Sequence, residues 1–204
     1  MVILLFLPVM APAADTLLDQ PHWSVEVKGG KFIPALDNWG QFYGKRDTTL
    51  YGGTLAYKIL RQVEIGLEGG SMTAKGQGSA PIHGIRTGTV TYDLYPLNAF
   101  VLARGVVSEN QWLIPYIGGG WTRLYYQEKV KDQATVKGFA DGYHVRAGLQ
   151  FDLDELDPGA ANNMYLGYGI FHTYLFIEAE RMHAVISAVD LGGTSYVGGL
   201  LFEF

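Results

Sequence analysis

The residues of this chain that could do chemistry recur at every second position. In the segment 143–154, His144, Arg146, Gln150 and Asp152 alternate with apolar side chains. Successive side chains of a β-strand point to opposite faces, so this spacing places an imidazole, a cation and a carboxylate on one face. Such groups can neutralise one another or line a polar path. The full set that we predict to share this inward polar face is Glu26, Lys28, Glu64, Glu68, Asp93, His144, Arg146, Gln150 and Asp152.

A second pattern, His172-Thr173-Tyr174 with Glu178, could belong to a hydrolase. Hydrolysis needs a nucleophile, a base and an orienting acid within hydrogen-bond reach. Thr173 would point to the opposite face of a strand from His172, which separates the two. The sequence also has no Gly-x-Ser-x-Gly, no His-Glu-x-x-His and no phosphate-binding Gly-Lys-Ser/Thr loop. We predict that the protein is not an enzyme and needs no cofactor, with a hydrolase as an alternative.

Metal ligands are scarce. The chain contains no cysteine, which excludes disulfides, thiolate metal sites and a cysteine nucleophile. The acidic run Asp152–Asp157 offers carboxylate oxygens to a divalent cation but lacks the glycine and spacing of a calcium loop. We predict a solvated turn there and no metal site.

The elements that would carry these residues are strands. Runs of alternating side chains end at glycine-rich or polar segments, and no helical period stands out. Asp154–Asn163 reads as a turn with about one helical turn, and the connections after the second and sixth strands are predicted to be shorter than those after the first, third, fifth and seventh. The predicted strands are His22–Ile33, Leu50–Leu60, Val63–Thr73, Ile85–Val107 across Pro96, Trp112–Glu128, Tyr143–Leu153, Met164–Glu178 and Leu191–Phe204.

The amino-acid composition narrows the structural class of the protein. The 204 residues include 27 glycines, 13% aromatic residues and only 17% charged residues, which favours an all-β protein with many turns. A net charge of -5 gives no basic surface for nucleic acid.

The N-terminal segment reads as an export signal. The apolar run Val2–Met10 precedes small residues, Ala11–Ala14, as in a secretory signal, although a basic start is missing. No later stretch has the roughly 18–20 continuous apolar residues of a membrane helix. We predict a signal peptide over 1–14 and one domain over 15–204.

Alternation alone does not say which face looks inward. A soluble barrel buries its apolar rows, whereas a membrane barrel turns them to lipid and keeps polar groups inside. Aromatic residues near the strand ends, on the apolar rows, favour the membrane version as an interfacial girdle. An exported soluble barrel that binds a small ligand is the alternative. The residues assigned to the girdle are Tyr57, Tyr92, Tyr116, Tyr143, Phe151 and Phe202.

The terminal residues resemble the assembly signal of bacterial outer-membrane β-barrels, which end on Phe with apolar residues at alternate positions. The matching residues are Tyr196, Gly198, Leu200, Phe202 and Phe204, and Pro115–Gly120 is similar to the fifth-strand start of such barrels. The chain thus resembles the small eight-stranded outer-membrane barrels of the outer-membrane protein W, X and A type. The resemblance implies an eight-stranded antiparallel up-and-down transmembrane barrel in a Gram-negative outer membrane. It also implies contact with membrane lipids, lipopolysaccharide and the outer-membrane assembly machinery.

The function that this resemblance implies is structural or interaction-based, with passage or binding of small apolar solutes. A solute path predicts a loop-side pocket near Phe42, Tyr43 and Ile186. The loop 35–48 also carries Trp39 beside Lys45 and Arg46, which suits lipopolysaccharide headgroups. Because some such barrels hydrolyse lipid A, that activity at His172 is the enzymatic alternative. The sequence leaves conduction and oligomeric state open.

Overall fold

The chain forms nine strands and two helices over the residues that the computed structural model describes, 21–79, 86–108, 111–130, 134–187 and 189–204. The predicted signal peptide lies outside these residues. The strands are β1 (Trp23–Pro34), β2 (Thr48–Leu60), β3 (Val63–Ser79), β4 (Arg86–Arg104), β5 (Leu113–Val130), β6 (Val136–Asp152), β7 (His172–Ile186), β8 (Val189–Asp190) and β9 (Gly193–Glu203); the helices are α1 (Trp39–Tyr43) and α2 (Pro158–Tyr168).

Eight of the strands close into one antiparallel barrel. Each strand pairs with its neighbour in sequence, β7 pairs with β9, and β9 pairs with β1 from Ser24 opposite Glu203 to Pro34 opposite Gly193. The two-residue β8 pairs only with the end of β7. At the seam, the Phe204 amide donates to the Trp23 carbonyl at 2.8 Å, and its carbonyl accepts from His22 at 2.8 Å. Closure leaves no unpaired edge, and the predicted all-β eight-stranded barrel is confirmed.

The two ends of the barrel differ. We call the end that carries Trp23 and Phe204 the terminal end, and the opposite end the distal end. The terminal end carries the β2–β3 turn and α2, and the distal end carries α1 and β8.

The prediction for the seventh strand is wrong at both of its ends. Met164–Tyr168 belong to α2, and the predicted loop from Glu180 is strand as far as Ile186. Helix α2 begins after Asp157, whose carboxylate accepts a hydrogen bond from the Ala160 amide at 3.0 Å, and it ends at Gly169 with φ 69°. Capping thus outweighs the strand-like alternation. The connection after β6, residues 153–171, is consequently longer than the connection after β1, residues 35–47.

The outer surface is apolar and the interior is charged, the reverse of a soluble protein. Val27, Leu67 and Ile117 are 54–65% exposed, whereas Glu64 and Arg146 are at most 2% exposed. Apolar rows that face outward all round a closed barrel match hydrocarbon rather than water. Among the described residues, no helix is long and apolar enough to span a membrane.

The girdle prediction holds for part of its residues. Tyr57 and Tyr143 are exposed on the outer surface, and Phe151 and Phe202 lie half-buried on the same side. The prediction is wrong for Tyr92 and Tyr116, because both side chains point into the barrel and are only 2% and 5% exposed. Tyr92 lines a part of the interior that is itself apolar, where apolar character no longer marks the lipid side.

Candidate functional site

The middle of the lumen is closed by a cluster of ion pairs. Lys28 Nζ lies 2.5 Å from a Glu68 carboxylate oxygen and 3.1 Å from Glu178. Arg146 lies 2.6 Å from Glu68 and 3.6 Å from Glu178, and the Tyr116 hydroxyl donates to Glu178 at 2.9 Å. We call these five residues the central plug. They come from strands β1, β3, β5, β6 and β7, so the plug ties opposite walls together.

Neutral groups extend the plug along the wall formed by the neighbouring strands β3, β4, β5 and β6. Asn98 donates to Glu68 at 3.2 Å, and the Thr122 hydroxyl bridges Asn98 at 2.8 Å and His144 Nδ1 at 2.9 Å. The Arg146 guanidinium lies 3.7 Å from the centre of the Phe100 ring. Side chains of this kind are expected to occupy the interior of an eight-stranded barrel, which is only wide enough to hold them.

A second ionic layer lies nearer the terminal end. Glu203 of the closing strand pairs with Arg104 at 2.5 Å and with Lys58. Arg104 also lies 5.2 Å from the centre of the Tyr174 ring. The carboxylate of Glu64 lies close enough to Arg104 and Lys58 to interact electrostatically with both. Ion pairs inside the lumen thus tie β9 to β4 and β2, in addition to its backbone pairing with β1 and β7.

The structure brings most of the predicted polar residues into the lumen. Asp93 is the exception: it lies on the outer side of β4, where it accepts from the Thr73 hydroxyl at 2.8 Å and pairs with Lys129 at 3.2 Å. Its neighbours Tyr92 and Leu94 point inward, and successive side chains alternate. The predicted residues that are buried in the lumen are Glu26, Lys28, Glu64, Glu68, His144, Arg146, Gln150 and Asp152.

Several lumen residues were missing from the predicted set. Glu180 was missed because the predicted seventh strand ended at Glu178, and Glu178 itself shares a row with Tyr174 and Phe176, which reads as apolar. Lys58 and Glu203 lie on the polar rows of their strands, so alternation alone could have found them, whereas Arg104 shares the row of Tyr92 and Leu94, which reads as apolar.

The terminal row of the predicted assembly signal faces outward. Tyr196, Leu200 and Phe204 are 56%, 36% and 39% exposed on the lipid side of β9. Gly198 and Phe202 share this row and are half-buried. Recognition of the row by the assembly machinery stays a prediction.

The distal half of the lumen is mainly apolar, with one buried carboxylate, that of Glu128, near Tyr43 and Tyr92. Phe32, Met72, Leu94 and Leu191 line a chamber above the plug, and Tyr92 closes its side. Helix α1 covers it: the centre of the Trp39 ring lies 4.1 Å from that of Tyr43, with the rings tilted, and 5.7 Å from that of Tyr92, edge-on. We call this region, with Trp39 and Tyr43, the distal chamber. The side chains leave a cavity of only about 10 Å³, room for about one water molecule.

Three buried polar atoms of the residues around the chamber have no hydrogen-bond partner among the described residues: Trp39 Nε1, Tyr43 Oη and Tyr92 Oη. Buried polar atoms are normally paired, so these are open to a ligand group. Outside α1 lies a cleft of about 210 Å³ lined by residues that include Trp39 and Phe42. Trp39 therefore stands between the open cleft and the chamber.

The predicted loop-side pocket residues all lie near this region. Phe42 lines the cleft, Tyr43 is in the chamber, and Ile186 packs half-buried against the same apolar cluster. Lys45 and Arg46 are exposed at the distal end.

Two groups of carboxylates could be considered as metal ligands. In one, His172 Nδ1 lies 2.9 Å from Asp154, which also accepts from the Thr173 amide, while Asp152 accepts from the Asp154 amide. In the other, Glu68, Glu178 and Glu180 converge, but Lys28 and Arg146 already neutralise the first two. Neither arrangement leaves a set of carboxylates free for a cation.

The carboxylate of Asp190 holds together the connection between β7 and β9 at the distal end. Asp190 lies 2.7 Å from His183 Nδ1 and accepts from the Ala184 and Gly192 amides at 3.0 and 2.9 Å. Burial alone would raise the pKa of Asp190, but these hydrogen bonds outweigh it and hold the pKa below its ordinary value. Among the described residues, no hydroxyl group hydrogen-bonds to His183, so this pair lacks a nucleophile.

Comparison with known proteins gives the class of the fold. OprG, an outer-membrane protein of Pseudomonas aeruginosa, superposes with a TM-score of 0.62 at 13% identity over 91% of this chain and 97% of its own. Neisserial surface protein A gives 0.59 at 9% identity over 89% and 97%. The N-terminal β-barrel domain of Pseudomonas aeruginosa OprF gives 0.55 at 15% identity over 91% and 98%.

No family model and no curated protein matches the sequence. The chain has the fold of the small eight-stranded barrels of bacterial outer membranes, and its apolar outer surface fits that location.

Proposed function

We propose that this protein is a sealed outer-membrane barrel that binds a small apolar molecule carrying one polar group. The observation that carries the proposal is the distal chamber: a mainly apolar lining beside three buried polar atoms, Trp39 Nε1, Tyr43 Oη and Tyr92 Oη, that have no hydrogen-bond partner among the described residues. Ligand sites are typically apolar cavities with a few convergent polar groups that fix orientation. A hydroxyl or carboxyl group on an aliphatic or aromatic skeleton has this chemistry.

The central plug argues against passage straight through the barrel. A solute leaving the chamber toward the terminal end meets Lys28, Glu68 and Arg146, all at most 7% exposed. Separating buried ion pairs strands charges in a medium of low dielectric constant. Binding at the distal end is thus the activity that the lumen supports.

Helix α1 has to move for a ligand to enter, because the residual cavity is too small. The helix has five residues, no side-chain hydrogen bond at its N-cap Asn38, and a left-handed residue, Gly44, at its end. Short elements with few local restraints open at low free energy. Displacing the Trp39 ring would join the outer cleft to the chamber.

Trp39 also provides the test. Of the four tryptophans, Trp23, Trp112 and Trp121 are 43–63% exposed on the outer surface, whereas Trp39 is 5% exposed. A variant with Trp23, Trp112 and Trp121 changed to Phe leaves Trp39 as the reporter. Titration with a brominated medium-chain alcohol in lipid nanodiscs should quench Trp39 fluorescence along a saturable curve.

The matched control keeps only Trp121, which should report unsaturable partition of the same probe into lipid. Tyr92→Phe in the Trp39-only protein should weaken saturable quenching by removing one hydroxyl. Quenching of Trp39 that is linear in probe and equal to that of Trp121 would contradict the proposal.

The enzymatic alternative has weaker support. His172 contacts Asp154, but Thr173 lies on the other side of the strand, and no hydroxyl of the described residues hydrogen-bonds to His172. The exposed Lys45 and Arg46 support a separate contact of the distal end with lipopolysaccharide phosphates.

A further inference from the structure

Helix α2 exposes large apolar side chains that the barrel does not use. Leu166 and Tyr168 are 72% and 75% exposed, and Leu156, just before the helix, is 80% exposed. The segment 158–171 contains no Asp, Glu, Lys or Arg. A helix in water normally keeps charges on its free face, so this composition does not fit a solvated connection.

The barrel offers α2 little to pack against. No residue of the helix is fully buried, and Ala161 and Met164 are only half-buried. Its ends are nevertheless well defined by the Asp157 cap, by Pro158 in the first turn and by Gly169. A helix that is locally specified but has no protein core beneath it needs another apolar surface.

The position of α2 identifies that surface. Tyr165 packs on Phe171 with ring centres 5.0 Å apart, and Phe171 leads into β7. At the other end of the connection, Phe151 lies 6.4 Å from Trp112 on the outer surface of the barrel. The Tyr165–Phe171 contact joins α2 to the outward row of β7, on which Leu175 and Ile177 are exposed, so the helix lies next to the lipid-facing surface of the barrel.

We propose that α2 lies in the headgroup region of the leaflet at the terminal end and anchors the barrel to lipid through Leu156, Leu166 and Tyr168. The occupant of this surface is lipid rather than protein, because the surface is continuous with the lipid-facing band. Since residues 158–171 include no Asp, Glu, Lys or Arg, contact of Leu166 and Tyr168 with lipid does not depend on headgroup charge, in contrast to a basic interfacial helix.

Spin labelling tests this placement, because the natural chain has no cysteine. Single-cysteine variants Leu166→Cys and Tyr168→Cys carry a nitroxide in the folded barrel in nanodiscs. The ratio of collisions with oxygen to collisions with an aqueous nickel chelate increases with depth in lipid. Gln62→Cys in the exposed β2–β3 turn is the aqueous control, and Leu67→Cys on the lipid-facing side of β3 is the lipid control.

We expect the ratio at 166 and 168 to exceed that at 62 several-fold, to approach that at 67, and to be equal in zwitterionic and anionic lipid. A ratio at both helix positions equal to that at 62 overturns the proposal. Protection that appears only at high protein density, or only in anionic lipid, also overturns it, the first by identifying a second copy as the occupant. Each variant is also run on a gel in mild detergent with and without boiling. A change in mobility on boiling shows that the barrel was folded, whatever the result for α2.

Discussion

At the residue scale, the plug depends on Glu68. Its carboxylate contacts Lys28 from β1 and Arg146 from β6, and it accepts from Asn98 of β4. One acid therefore compensates two buried cations and holds three strands to β3. If Glu68 is removed, we expect part of the buried positive charge of Lys28 and Arg146 to be left without a compensating contact among the described residues.

The variant Glu68→Gln should lower the free energy of unfolding by about 3–5 kcal/mol, the cost of removing one partner of a buried pair. Urea or heat unfolding in lipid vesicles measures this, with the exposed Glu155→Gln as a control expected to change little. The double variant Lys28→Met/Glu68→Gln should recover part of the loss. Equal stabilities of Glu68→Gln and Glu155→Gln would show that the pairs contribute nothing.

The lumen residues were predictable from the sequence where a strand stays regular. His144, Arg146 and Gln150 follow from the alternation of β6 alone. Tyr92 could not be assigned this way, because alternation separates two faces without saying which face is the interior. The distal chamber was also out of reach: Phe32, Met72 and Leu191 meet only through the register of strands far apart in the sequence.

At the element scale, β9 has two faces with opposite requirements. Glu203 enters the ionic layer, while Leu200 and Tyr196 face lipid at different depths. Leu200 pairs with Val27 and Leu175 between the two ends, and Tyr196 lies nearer the distal end opposite Lys31.

Leu200→Arg should cost about 2–4 kcal/mol, and Tyr196→Arg about 0–1 kcal/mol, because the penalty for a lipid-facing cation falls from the midplane to the interface. Reversible unfolding in lipid vesicles gives both values. The two variants share a strand, a face and a new side chain, so depth is the main difference between them. A larger loss for Tyr196→Arg would contradict the lipid placement of this row.

Element boundaries were less predictable than the strands themselves. The segment MYLGYGIF, residues 164–171, alternates like a strand, which led to the wrong assignment of α2. The signals that decide the matter are local: Asp157 and Pro158 start a helix, and Gly169 ends it. Strands β3 and β6 were also predicted too short, because glycine and polar residues at the distal end read as loop while backbone pairing continues to Ser79 in β3 and starts at Val136 in β6.

At the scale of the whole molecule, two different fillings divide the lumen. Ion pairs fill the centre and the terminal side, and apolar side chains under α1 fill the distal side. Neither region leaves a continuous path among the described residues, so we expect the barrel to be electrically silent.

Purified protein in planar bilayers should therefore show no steady conductance. The variant Lys28→Ala/Glu68→Ala removes one charge of each sign and leaves Arg146 paired with Glu178, so it empties the plug without a net charge change. It should conduct more than the natural protein under the same conditions. Well-defined conductance steps in the natural protein that this variant does not alter would contradict a sealed lumen.

The seam that joins β9 to β1 also makes the order of the strands circular. His22 and Phe204 are hydrogen-bonded neighbours, so a short flexible linker could join them without moving either strand. New ends could then be opened at the exposed Arg61–Gln62 turn, as in circular permutation of domains whose termini lie together. The cylinder would keep every one of its strand pairings, because its geometry contains no first strand.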